Sequence, residues 1–258
     1  MTTRGVVDVV FSLDASDSMR PCIVAVKDHM SSFLEGLHAD LQRKWDVRFD
    51  YVAHFTGVSA GGGITHHHES LFHYEADNLL LDALYTKDHP KPMRCFTSDI
   101  DEFKQGLDRI QVAGDEGPLV ALDSCLDFPW RYADDCHRVI IFLTDEAFET
   151  SSLPEFEIER MDQLQQKVED LRVLLFIVAP ESAGFDRLSE IDRCEYEVVD
   201  GLSDGLTGVN FDELLAGIGK SVSVSVPNQR STVKTVTRGL FDQENWGVAE
   251  SESLEDRT

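Results

Sequence analysis

Short apolar runs alternate along this chain with longer stretches of helical period. Residues 6–13 (VVDVVFSL), 138–144 (RVIIFLT) and 172–178 (RVLLFIV) are apolar enough to be strands covered on both faces. Residues 47–55 (VRFDYVAHF) alternate as a strand does, and shorter strand-like runs stand at 94–97 and 196–199. Helical patterns occupy 21–37, 98–110, 119–130, 153–171, 185–191 and 210–220. Ser98 is placed to cap the second of these, and Asp99 and Asp101 suit the positive end of a helix. Strands this apolar, separated by helices, require a layer on each side. The pattern predicts an α/β fold: a Rossmann-like, doubly wound, mostly parallel sheet flanked by helices. Ligands of such sheets bind at the carboxyl ends of the strands.

Two stretches break the rhythm. Residues 57–91 carry a Gly61-Gly62-Gly63 turn and a His66-His67-His68 run, and they are expected to be an insertion between two strands. Three consecutive histidines do not share one face of a strand or helix. A zinc or nickel site there would need a loop, and the plainer expectation is an exposed polar loop. Residues 227–258 have no clear period, and the last nine hold four acidic residues and one arginine. The expected division is therefore a domain over 1–226 and an extension over 227–258, disordered or docked elsewhere. Leu240, Phe241 and Trp246 are candidate anchors of that extension, on the domain or on a partner.

Charge narrows the choice of partner. The 258 residues include 23 Lys and Arg against 48 Asp and Glu, a net charge of −25. That excludes nucleic acid and anionic membrane as main partners, and it suits a hard divalent cation or a basic protein surface. No apolar run reaches the length of a membrane span. Residues 1–5 lead directly into the first strand, so no leader peptide is expected. Cys22, Cys95, Cys125, Cys136 and Cys194 are odd in number, widely spread and never in a Cys-x-x-Cys pair. They read as reduced, packed thiols of a cytoplasmic protein rather than a thiolate zinc site.

The chemistry gathers at two strand ends. The first apolar strand runs into Asp14-Ala15-Ser16-Asp17-Ser18-Met19, and a second ends in Thr144-Asp145-Glu146. One carboxylate and two hydroxyls in a tight turn are hard oxygen donors, suited to Mg²⁺, Ca²⁺ or Mn²⁺. A parallel sheet would bring Asp145 to the same edge, facing Asp14 across a cation. The plainer alternative is that Asp14, Ser16 and Ser18 only cap the next helix.

Asp-x-Ser-x-Ser after an apolar strand, with a later strand ending in Thr-Asp, resembles the von Willebrand factor A domain over most of residues 6–220. Phe96-Thr97-Ser98-Asp99 before a helix adds to the resemblance. It implies a mostly parallel sheet with one antiparallel edge strand and a metal-ion-dependent adhesion site (MIDAS). Asp14, Ser16, Ser18 and Asp145 match that site's metal loops. The family usually adds a Thr or a Glu from a middle loop. Here the loop reads Ala113-Gly114-Asp115-Glu116-Gly117-Pro118-Leu119, and alignment puts Gly117 or Leu119 at the expected position. Asp115 or Glu116 is the expected substitute, as a direct ligand or through water.

The resemblance further implies a non-enzymatic adaptor that docks an acidic residue of a protein partner. Intracellular bacterial members of this kind work beside ATPases, kinases or phosphatases in stress or defence systems. Two alternatives stand beside it. A phosphohydrolase of the haloacid-dehalogenase type would pair a nucleophilic Asp with a second Asp two residues on, but Ser16 holds that position and Asp17 has the wrong spacing. A structural subunit with a non-functional metal site is the other. The chain has no P-loop and no Gly-x-Ser-x-Gly elbow, and Cys136-His137 leads into a core strand.

Overall fold

The computed structural model describes residues 3–39, 43–58, 64–71, 95–114, 117–131, 136–150, 154–200, 204–225 and 235–237. Among these residues seven strands lie in one sheet: β1 (Thr3–Asp14), β2 (Arg43–Val58), β3 (Ile64–Glu69), β4 (Cys136–Leu143), β5 (Val173–Ala179), β6 (Cys194–Val198) and β7 (Thr235–Thr237). Their order is β3-β2-β1-β4-β5-β6-β7. Among the described strands all neighbouring pairs are parallel except β2 with β3, so of these the edge strand β3 alone runs antiparallel. The fold is α/β, with the order of winding reversing between β1 and β4.

The central strands are buried on both faces. Val7, Val9, Phe11 and Leu13 of β1 enter one apolar layer, and Val10 enters the other. On the first face lie α1 (Arg20–Leu37), α2 (Ile100–Leu107) and α6 (Phe211–Val224), through residues such as Phe33, Phe103 and Ile218. On the second lie α3 (Pro118–Leu126), α4 (Pro154–Leu171) and α5 (Ala183–Leu188), through Leu122, Leu164 and Phe185. Among the described residues no helix is long and apolar enough to cross a membrane.

Several local expectations are corrected. The strand-like run at 94–97 gives only a bridge between Thr97 and Phe49, with N···O distances of 2.7 and 2.9 Å, because the chain turns at once into α2. Asp99, not Ser98, caps that helix: its carboxylate accepts the Asp101 and Glu102 N–H groups at 2.9 and 3.2 Å. The three histidines lie on a strand rather than in a polar loop, because β2 continues to Val58 and the chain returns as β3. Within the extension, Thr235–Thr237 joins the sheet beside β6. Leu240, Phe241 and Trp246 lie outside the described residues.

Two buried acids hold the frame. Asp8, in the middle of β1, is fully buried and takes a fork from Arg48 (2.8 and 2.6 Å) together with the Nε and backbone N–H of Arg131 (2.7 and 2.8 Å). Burial raises this carboxyl, but the hydrogen bonds from Arg48 and Arg131 outweigh it and hold Asp8 below the usual carboxylate range. Asp50, on β2, accepts N–H groups from Tyr51, Leu71 and Phe96 at 2.8, 3.0 and 3.0 Å. Leu71 and Phe96 belong to two separate described segments, so one carboxylate ties both to β2.

Candidate metal centre at the carboxyl edge of the sheet

β1 and β4 are parallel and in register through Leu13 and Leu143. The next residue on each strand, Asp14 and Thr144, therefore emerge side by side. Thr144 Oγ1 donates to Asp14 Oδ2 at 2.9 Å, and the Ser16 N–H donates to Asp14 Oδ1 at 2.7 Å. Beyond Asp14 the chain makes a single 3₁₀ turn at Asp17–Met19 and enters α1. That turn folds Ser18 back, so that its hydroxyl donates to Asp145 Oδ1 at 3.2 Å. The Ser16 and Ser18 hydroxyls lie 3.0 Å apart. Asp14, Ser16, Ser18 and Asp145 thus converge on one spot.

The helix-capping alternative has little support. Ser16 stands before the 3₁₀ turn and Met19 before α1, yet neither makes a side-chain cap hydrogen bond. The serine hydroxyls are turned toward each other and toward Asp145.

A third loop closes the site. The Gly205 N–H donates to Asp145 Oδ2 at 2.6 Å. Gly205 has φ +71°, and a Cβ there would lie 2.2 Å from the Ser18 carbonyl oxygen. A residue with a side chain could hold neither the left-handed backbone without strain nor this approach to the Asp14–Ser18 loop. Sequence reasoning missed Gly205 and gave no role to Thr144. The threonine was signalled by its place before Asp145, whereas nothing local marked the glycine.

The middle loop approaches from the same side. The Ala113 N–H donates to the Ala15 carbonyl at 2.8 Å, which ties the stretch before Gly114 to the first loop. Asp115 and Glu116 lie outside the described residues. Gly117 caps α3 and contributes no side chain.

The electrostatics call for a cation. Asp14 and Asp145 are fully buried, and among the described residues no Lys, Arg or His pairs with either. Burial pushes the Asp14 carboxyl up to about 7; the charge of Asp145 adds to this, and hydrogen bonds from Ser16 and Thr144 oppose it. Asp145 is raised by burial first, with Glu146 adding, against the bonds from Gly205 and Ser18. The Cys22 thiol is pushed well up by its own burial and by the two carboxylates. Two buried acids of one sign, ringed by hydroxyls, fit a hard divalent ion by donor chemistry and by charge. Among the described residues no three His, Cys, Asp or Glu side chains come together so as to hold a metal ion, so serine and threonine hydroxyls would make up the rest of the donor set.

No family model matches the chain, and no curated protein matches it. Among solved structures, it is similar to a von Willebrand factor type A protein from Catenulispora acidiphila, at 14% identity and a TM-score of 0.48, over 86% of this chain and 43% of that one. Proximal thread matrix protein 1 from the mussel byssus is similar at 14% identity and a TM-score of 0.46, over 85% of this chain and 46% of that one. A second structure of that mussel protein, described with a zinc-occupied MIDAS motif, matches at 13% identity and a TM-score of 0.46, over 86% and 47%. The chain spans less than half the length of each of these proteins.

Proposed function

We propose that the edge formed by Asp14, Ser16, Ser18, Thr144 and Asp145 is a metal-ion-dependent adhesion site for Mg²⁺, with Ca²⁺ or Mn²⁺ as substitutes. Through it the chain would dock an acidic residue of a protein partner, as a non-enzymatic adaptor. One observation carries this reading: two fully buried carboxylates meet at a strand edge among hydroxyl donors, with no cationic side chain of the described residues paired to either.

When bound, a divalent cation supplies a positive charge with oxygen positions open to an outside carboxylate. The remaining work falls to this chain. Asp14 and Asp145 provide two negative charges, which balance those of a divalent cation, so an outside carboxylate would bind by filling an open coordination position. Ser16, Ser18 and Thr144 provide neutral oxygens, and Gly205 holds the Asp145 carboxylate in orientation. Asp115 or Glu116 is the proposed further donor from the middle loop. The partner would present an Asp or Glu; by the family resemblance it would belong to a cytoplasmic assembly containing an ATPase, kinase or phosphatase. Leu240, Phe241 and Trp246 are proposed as a second, apolar point of attachment.

Titration calorimetry tests the site. Mg²⁺ should bind the wild-type chain, and Asp145→Ala should weaken that binding at least tenfold. Co-purification of a partner should be lost in EDTA and restored by Mg²⁺, with no turnover of a generic phosphate ester. Equal Mg²⁺ affinity for wild type and Asp145→Ala would overturn the assignment.

A further inference from the structure

A groove runs between α3 and α4 on the second face of the sheet. Its upper part is a cavity of about 120 Å³ over Leu119, Val120 and Leu164, with Arg160 beside it. Its lower part is wider, about 390 Å³, and is bordered by Asp127 and Asp170. Lys167 lines both parts. α4 joins the parallel strands β4 and β5, so it descends from the carboxyl edge of the sheet, and α3 descends beside it from the middle loop toward β4. Val120 and Asp127 are seven residues apart on α3, about 10 Å along a helix. Lys167 already serves two acids at once, Asp123 at 2.7 Å and Asp127 at 2.6 Å. Asp170 adds an exposed third acid, so negative charge is in excess in the lower part.

We propose that this groove docks an amphipathic helix of a protein partner, which sets an apolar side chain in the upper cavity and, seven residues on, a Lys or Arg over Asp127 and Asp170. The upper cavity is smaller than the roughly 300–1,000 Å³ of small-molecule sites, and it suits a single side chain. The walls are two helices whose backbone groups are bonded within themselves, so an extended peptide finds no ladder partner there. A helix brings its own backbone hydrogen bonds. Helices that enter grooves anchor through positions i, i+3, i+4 and i+7, and the longest of these separations equals the Val120–Asp127 span. Charge selects the occupant. A second copy of the chain would bring another −25, and residues 250–258 of the extension hold four acidic residues against one arginine, so neither complements Asp127 and Asp170. A basic helix does. Asp14, Ser16, Ser18, Thr144 and Asp145 all lie outside α3 and α4, so this surface goes beyond the metal centre and does not depend on it.

The test is selection from a randomised library of helical peptides with the full chain as bait, in EDTA so that the metal centre is silent. Enriched peptides should carry an apolar residue followed seven positions on by Lys or Arg. The tightest of them, measured by fluorescence anisotropy, should lose at least about tenfold in affinity with Asp127→Lys or Asp170→Lys. Glu169→Lys makes the same change of charge on an exposed neighbour outside the groove lining, and it should leave the affinity within about threefold. Thermal melting of each variant separates lost binding from lost folding. A loss with Glu169→Lys as large as with Asp170→Lys would overturn the proposal, because it would mark general attraction to an acidic chain. So would enrichment of acidic peptides or of none, or peptides that bind both groove variants as they bind wild type. A chain that sediments as a dimer, and as a monomer with Asp170→Lys, would give the groove to a second copy and overturn the choice of partner.

Discussion

Gly205→Ala isolates the contact that joins the third loop to the metal centre. The replacement puts a methyl group 2.2 Å from the Ser18 carbonyl oxygen and 3.1 Å from Pro21 Cδ, and the first of these is backbone that cannot swing aside. It also places an L-residue at φ +71°, a left-handed conformation that costs about 1–2 kcal/mol. Relief requires the loop to retreat from Ser18, and the 2.6 Å hydrogen bond to Asp145 goes with it. A hydrogen bond to a charged acceptor contributes about 1.5–3 kcal/mol. The two terms together give about 2.5–5 kcal/mol, equivalent to a melting temperature lowered by roughly 5–20 °C in a chain of this size. The assay is thermal unfolding of wild type, Gly205→Ala and Gly205→Asn in EDTA, with Gly208→Ala as control. A Cβ at Gly208 meets nothing within 4 Å, so that variant should melt within a degree or two of wild type. Asparagine tolerates the left-handed backbone but keeps the Cβ, so Gly205→Asn should recover only the smaller, conformational part of the loss. Gly205→Ala melting with the Gly208→Ala control would refute the reasoning.

Two further predictions follow from the buried acids. Asp8→Ala leaves Arg48 and Arg131 half-buried without their carboxylate, and it should destabilise the chain by about 3–5 kcal/mol in denaturant unfolding, far more than an exposed Asp108→Ala. Burial raises the Asp50 carboxyl to about 6, against the hydrogen bonds from Phe96, Leu71 and Tyr51. Its ionised form is therefore disfavoured in the folded state, and the penalty is absent below pH 4, grows through pH 6 and is complete above it. Stability measured against pH should show wild type losing about 3 kcal/mol relative to Asp50→Asn between pH 4 and pH 8; parallel curves would contradict this.

The sequence by itself determined the sheet and most of its helices, because a strand covered on both faces must be apolar throughout and a packed helix must repeat its apolar face. Residues 6–13, 138–144 and 172–178 carry that requirement, and all three lie within or largely within core strands. It also marked Asp14, Ser16, Ser18 and Asp145, since polar residues that end apolar strands stand where a parallel sheet opens. Tertiary structure decided what depends on distant partners. Gly205 meets Asp145 across 60 residues, and its role follows from the approach of two loops rather than from any local pattern. Asp50 reads as one polar position on an alternating strand until Leu71 and Phe96 are brought to it. Asp8 looks like an interruption of a core strand until Arg48 and Arg131 arrive from 40 and 123 residues away. The histidine run reads as a loop because no apolar period marks it as a strand. Only its pairing with β2, a relation between two strands, makes it one.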